Sequence, residues 1–292
     1  MHERTADLYV AHKPLLLSLA YRMLGSLSEA EDIVHEAFLA FDAAKNGQTE
    51  NVRAYLCKIV TNRCIDRLRK TKSERQVYVG PWLPEPWVDG SRAADPQESL
   101  EQKDTLSTAF LLLLEKLTAA ERAVFVLREA LDYEYGEIAG IVGKSEANCR
   151  QLLRRARMKL AGWEEAQRPQ TQMEQSSALV NEFVDALSAG DAARLLRVFT
   201  ADAALLSDGG GKVIAAKRPI LGPQLIATFL VGVNEKRKEP STIELTMVNG
   251  LPGLIQRVDG SVHGVYSFAV RDGLISAVYI MRNPDKLRRL ND

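Results

Sequence analysis

Cysteine is scarce in this chain: of 292 residues only Cys57, Cys64 and Cys149 are cysteines, an odd count with no CxxC spacing. That excludes a disulfide framework. Cys57 and Cys64 share an apolar stripe with Val60 and Leu68 at helical spacing, so they read as buried packing residues. Long hydrophobic runs are also missing. None approaches the ~18 residues of a membrane span, and the polar start "MHERTADLYVAHK" is no signal peptide, so a cytoplasmic protein without a membrane partner is expected. Net charge is absent as well, with 38 Lys and Arg against 38 Asp and Glu. The total therefore predicts no acidic partner, while a hydrophobic content of 46% is enough for buried cores.

What the total hides, the distribution shows. Basic residues concentrate in "RAYLCKIVTNRCIDRLRKTKSER" and in "KSEANCRQLLRRARMK", with acidic stretches elsewhere that cancel them. Two basic islands on two helices are the footprint of a nucleic-acid-binding protein. The chain is expected to be multidomain. A helical domain spans 1–75, opened in part by a capping box of Ser28 and Glu31 in "SEAEDIVHEAFLAF". A Gly- and Pro-rich connection covers 76–96, and a second helical domain, with a capping box of Thr118 and Glu121, covers 97–163. A Gln-rich linker at 164–176 leads to 177–292. There two helical stretches precede alternating β-branched runs ("TIELTMV", "SVHGVYSFAV", "LISAVYIM") punctuated by "NGLPG", "VDGS" and "RDG", which reads as an α+β domain with a curved antiparallel sheet.

The sharpest local signal is "EYGEIAGIVGKSEANCRQLLRRARMKL". A helix over 135–142, a turn over Gly143 to Ser145 and a second helix capped by Ser145 make a helix-turn-helix. On the second helix Cys149, Leu152, Leu153, Ala156 and Leu160 share an inner face, leaving Asn148, Arg150, Gln151, Arg154, Arg155 and Arg157 outside. Its N-terminal part suits base edges in a major groove, and Arg154, Arg155, Arg157 and Lys159 suit phosphates. "GIVGKS" imitates a phosphate-binding loop, but Ile138 stands where that motif needs glycine. In the first island Arg63, Arg67 and Lys70 project from one side of a helix.

These blocks resemble a known arrangement. "SEAEDIVHEAFLAF" with "AYLCKIVTNRCIDRLRK" is similar to region 2 of bacterial sigma-70-type factors, and "LTAAERAVFVLREALDYEYGEIAGIVGKSEANCRQLLRRARMKL" to region 4. With no large region between them, residues 1 to 163 resemble the extracytoplasmic-function (ECF) sigma factors. The resemblance implies that Asp32, Glu36 and Phe38 dock on the clamp of core RNA polymerase, which the factor contacts through the β′ and β subunits. Arg53, Tyr55, Lys58, Asn62, Arg63, Asp66 and Arg67 would melt and read the single-stranded -10 element. The helix-turn-helix, with Ser145, would read the -35 duplex.

The third domain resembles the cone-shaped SnoaL-like (NTF2-like) fold. "WLPEP" (Trp82, Leu83, Pro84, Glu85, Pro86), "DGGGK" (Asp208, Gly209, Gly210, Gly211, Lys212) and "NPDKL" (Asn283, Pro284, Asp285, Lys286, Leu287) match the subgroup of these factors called ECF41, in which the extension modulates the factor in cis. The expectation is a sigma factor without chemistry, metal or cofactor, with Trp82, Leu83 and Pro84 of the linker packed near "DGGGK", Trp87 offering a further apolar surface, and room for an unknown small ligand in the cone. "DGGGK" reads first as a tight turn, then as a weak anion cradle; Asp208 could also imitate the acid of a cyclase. The alternatives are a helix-turn-helix regulator with a ligand-sensing domain, and a cyclase fused to a DNA-binding module.

Overall fold

The computed structural model of the protein describes residues 3–43, 51–88, 106–160, 173–237 and 239–291. They fall into two compact units: one holds the described residues of 1–76 and 111–164, the other those of 77–94, 106–110 and 165–292. The expected borders at 97 and 163, the first linker beyond residue 88, and Trp163 lie outside the described residues.

The first unit opens with three helices, α1 (Glu3–Leu24), α2 (Leu27–Ala43) and α3 (Val52–Gln76). Apolar residues recur three and four apart on each, so each buries one stripe. Leu16, Leu19 and Met23 of α1, Val34, Ala37 and Phe38 of α2, and Leu56, Val60 and Cys64 of α3 are at most 1% exposed. The start of α2 differs from expectation. The helix begins at Leu27, and the Ser26 hydroxyl accepts from the Glu29 amide, so Ser28 lies inside the first turn and Ser26 is the cap.

Four helices follow: α4 (Thr108–Leu114), α5 (Ala119–Phe125), α6 (Tyr135–Val142) and α7 (Glu146–Lys159). Thr118 and Glu121 close the expected capping box on α5. Gly143, at φ 67°, ends α6, and the Ser145 hydroxyl accepts from the Asn148 amide to start α7. Cys149, Leu152, Leu153 and Ala156 face inward as their spacing requires. Between α5 and α6 the chain does something its sequence does not announce. Val126–Ala130 is a turn of π-helix, in which the Leu131 amide bonds to Val126 O, five residues back, and Asp132 then takes φ 52°. This detour swings Tyr133 inward, where it is 5% exposed.

In the second unit α8 (Met173–Ser188) and α9 (Ala192–Val198) precede the sheet, and α8 starts inside the stretch the sequence assigns to a linker. The strands are β1 (Phe199–Asp208), β2 (Ile220–Leu221), β3 (Ser241–Val248), β4 (Leu251–Val258), β5 (Ser261–Arg271) and β6 (Leu274–Met281), with α10 (Pro223–Glu235) between β2 and β3. Their order is β2-β1-β6-β5-β4-β3, parallel only between β1 and β6. Three two-residue hairpins join β3 to β6. Asn249-Gly250, Asp259-Gly260 and Asp272-Gly273 all have positive φ at both positions, the twist that suits a tight hairpin. Only the first two residues of "NGLPG" are turn, because Pro252 and Gly253 pair with Met247 and Thr246 inside β4. Register breaks at Gln256/Arg257 and Ala269/Val270 bend the sheet. Phe183 packs edge-on against Phe199 and Phe268 within the bend, with Leu195, Ile226, Leu254 and Val278 around them. The result is the expected α+β cone. Among the described residues no helix is long and apolar enough to cross a membrane.

Candidate nucleic-acid and partner interfaces

The α2 and α3 faces meet in a groove. Residues 29, 32, 33 and 36 share one side of α2, and residues 63, 66, 67 and 70 one side of α3. Accordingly Glu29, Asp32, Ile33, Glu36, Arg63, Asp66, Arg67 and Lys70 line a single groove of about 340 Å³. Arg63 pairs with Glu36, and Arg67 donates through Nε (2.8 Å) and Nη2 (2.6 Å) to Glu29 Oε1. Lys58 and Asn62 are exposed, and Tyr55 is half-buried with its ring 6.0 Å from that of Phe41. Phe38 requires a correction. It is 1% exposed and its ring lies 4.8 Å from that of Tyr9, so it fills the bundle and cannot face a partner. The apolar side chain exposed on that turn is Leu39, at 51%.

Arg53 is drawn elsewhere. Its Nε donates to the Tyr133 hydroxyl (3.1 Å), and Cys57 Sγ lies 3.2 Å from the same oxygen. Burial pushes the Cys57 thiol and the Tyr133 hydroxyl up, so both keep their protons. A second tie runs from α5 to α1. Arg122, 3% exposed, donates to Met23 O (2.7 Å) and Glu115 (2.8 Å), and burial lowers its pKa to about 9.

On α7, Asn148, Arg150, Gln151, Arg154, Arg155 and Arg157 are all exposed. Arg150 pairs with Glu146 (2.8 Å) and lies 4.7 Å from the centre of the Tyr135 ring, while Arg157 pairs with Glu129 (2.6 Å). The Ser145 hydroxyl is engaged in the cap. Lys159 donates to Glu121 Oε2 at 2.6 Å. Burial alone would raise the Glu121 carboxyl, but Lys159 and the Thr118 bonds outweigh it and hold the carboxyl below its ordinary range.

The second unit brings "WLPEP", "DGGGK" and "NPDKL" to one point. Asp208, at the end of β1, is 0% exposed and accepts from the Tyr78 hydroxyl (2.6 Å), the Leu83 amide (2.9 Å), the Gly210 amide (2.9 Å) and Lys286 Nζ (2.8 Å). Lys286 also donates to Leu83 O and lies 4.3 Å from the Trp82 ring centre and 5.2 Å from that of Tyr78. Asn283 caps α11 (Pro284–Leu287) and donates to the Tyr78 hydroxyl (2.9 Å). Burial, then the bond to Asp208, pushes the Tyr78 hydroxyl up, so it stays a donor. Lys212 pairs with Asp285 (2.6 Å), while Leu83, Pro84, Glu85, Pro86 and Leu287 are buried.

Each glycine of "DGGGK" has a separate reason to be there. A Cβ on Gly209 would stand 2.6 Å from Val213 O, one on Gly210 2.3 Å from Asn283 Nδ2, and one on Gly211 3.1 Å from Val79 Cβ. Gly210 and Gly211 also have φ 61° and 71°. Of the cradle's would-be donors, the Gly210 amide and Lys212 are taken by carboxylates of the chain itself. Asp208, with four donors on it, ties the linker residues Tyr78 and Leu83 to the end of β1.

A second anchor lies further along the linker. Trp87 N donates to Asn249 Oδ1 and Asn249 N to Trp87 O, both at 2.7 Å, and Val88 bridges Val248. Asn249 Nδ2 continues to Thr108 Oγ1 (3.2 Å), which meets Ser267 Oγ at 2.8 Å. Sequence reasoning missed Tyr78, Asn249, Thr108 and Tyr133, and it saw Asn249 only as a turn residue. Among the described residues no group of three or more His, Cys, Asp or Glu is placed to hold a metal ion.

Comparison with known proteins agrees with this layout. Residues 8–74 match the family described as Sigma-70 region 2, and residues 107–160 match Sigma-70 region 4. The chain is 32% identical over 288 residues to the ECF RNA polymerase sigma factor SigJ of Mycobacterium tuberculosis, covering 93% of this chain and 89% of that one. It is 28% identical over 290 residues to the probable ECF sigma factor SigI of the same organism, covering 98% and 96%. The crystal structure of M. tuberculosis SigJ superposes with a TM-score of 0.78 at 29% identity, over 97% of this chain and 98% of that one.

Proposed function

The chain belongs to the ECF RNA polymerase sigma factors, and on that premise we propose which of its surfaces carry the work. Asp32 and Glu36, with Leu39 in the place first given to Phe38, dock on core RNA polymerase. Lys58, Asn62, Arg63, Asp66 and Arg67 meet the displaced -10 strand, which needs cations for phosphates and edges for unstacked bases. Asn148, Arg150 and Gln151 read the -35 duplex and Arg154, Arg155 and Arg157 hold its phosphates. The factor acts in the cytoplasm, where the polymerase is, and does no chemistry of its own. Its third domain regulates it in cis by gripping the linker between the two DNA-reading domains.

The observation that carries the cis reading is the Asp208–Lys286 junction, where all three motifs converge on linker residues Tyr78, Trp82 and Leu83. An occupied junction of this kind limits where the linker can go, and a linker limits where its two domains can go. Run-off transcription by core polymerase with the full chain tests it. Lys286→Met removes the donor to Asp208 and Leu83 O and is expected to change transcript yield, with binding of -35 duplex unchanged. An unchanged yield overturns the cis reading. No initiation even by the unaltered chain, on promoters from its own genome, would return the protein to the class of plain DNA-binding regulators.

A further inference from the structure

Gly264 lies inside β5 with no local reason to be glycine. Its φ is outside the left-handed region, and a Cβ there would meet Met281 O and Tyr266 Cε2 at 3.5 Å and Arg282 Cγ at 3.8 Å, ordinary contact distances. Neither conformation nor crowding calls for the missing side chain, so its absence leaves a notch in the strand. The notch opens on the concave face, which Gly264 shares with Tyr266 of the cone's core. Gln256 is its partner on β4, and the stem of Arg282, just past β6, lies beside it. Arg237, just past α10, reaches the same place and donates to Gln256 Oε1 (3.1 Å), Ser241 Oγ (2.8 Å) and Asn234 Oδ1 (3.3 Å).

The surroundings of the notch are short of negative charge. Arg237 spends its donors on neutral side chains and Arg282 on Ile214 O (2.8 Å). Among the described residues no carboxylate pairs with either, whereas Arg194, Arg257 and Arg271 of the same domain each have one. Both guanidiniums are half-buried, and holding cations partly out of water without a counter-charge is costly. Tyr266 adds a donor to the pair. It is 6% exposed, burial pushes its hydroxyl up so that it keeps its proton, and its acceptor Gln256 Oε1 is 3.4 Å away, a weak bond.

We propose that this notch is the oxyanion subsite of an effector site, which takes the carboxylate or phosphate group of a small acid between Arg237, Arg282 and the Tyr266 hydroxyl. The guanidinium forks match such a group two bonds at a time, and the phenol supplies a further donor. The acid brings the counter-charge that the chain withholds. Arg282 also carries its effect toward the linker. Its amide donates to Asp208 O (2.7 Å), its guanidinium holds Ile214 O just beyond "DGGGK", and Asn283, next in the chain, holds Tyr78. An acid that draws the guanidinium into the notch therefore acts on the strand end that carries Asp208. The effect on the linker rests on the cis reading above, whereas the binding does not.

The test is titration calorimetry of the full chain at fixed ionic strength, with inorganic phosphate and with benzoate as separate titrants. Saturable binding of at least one, at millimolar affinity or tighter, is expected, and the tighter of the two identifies the acid group. Arg237→Gln and Arg282→Gln should each weaken it by roughly 10-fold or more, the value of one charge-assisted hydrogen bond. Gly264→Val suits a strand, fills the notch without changing charge and should abolish binding. Gly264→Ala, whose methyl meets only ordinary contacts, keeps the fold and should weaken binding in part. Arg197→Gln, an equal charge loss at an exposed position of α9, should leave it unchanged. No saturable binding of either acid overturns the subsite, and so does binding that Gly264→Val leaves intact or that Arg197→Gln weakens as much as Arg237→Gln. Run-off transcription then separates site from regulation. The acid should change transcript yield with the unaltered chain and not with Gly264→Val. If binding follows the expected pattern but yield ignores the acid while still responding to Lys286→Met, only the link through Arg282 falls. If Lys286→Met leaves yield unchanged as well, the cis reading falls and the oxyanion subsite stands.

Discussion

Gly210 and Gly143 both sit in left-handed backbone, at φ 61° and 67°, but only one has a neighbour. A Cβ on Gly143 meets nothing within 4 Å, whereas one on Gly210 would lie 2.3 Å from Asn283 Nδ2. Gly143→Ala should therefore cost only the backbone term, about 1 kcal/mol. Gly210→Ala should cost at least about 2 kcal/mol more, because the side chain that caps α11 has to leave. Denaturant unfolding followed in each unit checks the difference, and equal costs would mean that Asn283 does not hold the "DGGGK" turn. At this scale the sequence was half legible. Three consecutive glycines announce positive φ, but the reason for three, one each for Val213 O, Asn283 and Val79, depends on residues up to 132 positions away, and no local pattern encodes that.

Adjacent residues of α2 carry opposite expectations, since a helix turns about 100° per residue. Phe38→Ala empties the centre of the three-helix bundle and should cost about 3–5 kcal/mol of stability. Leu39→Ala should change stability by less than about 0.5 kcal/mol while weakening the complex with core polymerase. Thermal unfolding and pull-down by core enzyme distinguish the two, and a Leu39 variant that binds normally would move the docking face elsewhere on α2. The cap of α5 adds a pH dependence. Glu121 is held below the ordinary carboxylate value of 4.5, chiefly by Lys159 and Thr118 against the opposing effect of burial. Its contribution is present above that value and is lost as pH falls through the lower folded value. Glu121→Gln should thus flatten the acid limb of the stability curve below about pH 4.5, and an unchanged limb would remove the cap from the account. Elements of this kind were readable because their signals are local: a cap, a glycine, a serine and an inner stripe for the helix-turn-helix, an Asn-Gly or Asp-Gly for each hairpin. The parallel pairing of β1 with β6, some 75 residues apart, and the start of α8 carry no such punctuation and were not seen.

For the molecule as a whole, the informative contact is the one between the two promoter-reading domains inside the first unit. A factor whose α3 opens the -10 strand while α7 reads the -35 duplex needs those helices at promoter spacing. Yet Arg53 at the start of α3 is bonded to Tyr133, and Arg122 of α5 is buried on the last turn of α1. Neither tie was visible in the sequence, because the π-turn and the φ of Asp132 that aim Tyr133 arise from packing and not from a motif. Cys57 reports on this contact, being 0% exposed with its thiol against the Tyr133 hydroxyl. Cys64, two turns further along the same stripe of α3, is equally buried but within the three-helix bundle. Tyr133→Phe removes the acceptor of a charge-assisted hydrogen bond, a loss of about 1.5–3 kcal/mol, which corresponds to about a 10- to 150-fold rise in the open population. Maleimide labelling read peptide by peptide should then accelerate at Cys57 by that factor and stay slow at Cys64. Core polymerase added to the unaltered chain is expected to have the same selective effect, on the reading that α3 and α7 part to reach the two promoter elements. Acceleration at both cysteines would mean that the bundle itself unfolds, and acceleration at neither, with polymerase bound, would mean that α3 and Tyr133 stay together through initiation and that the two readers are not parted there.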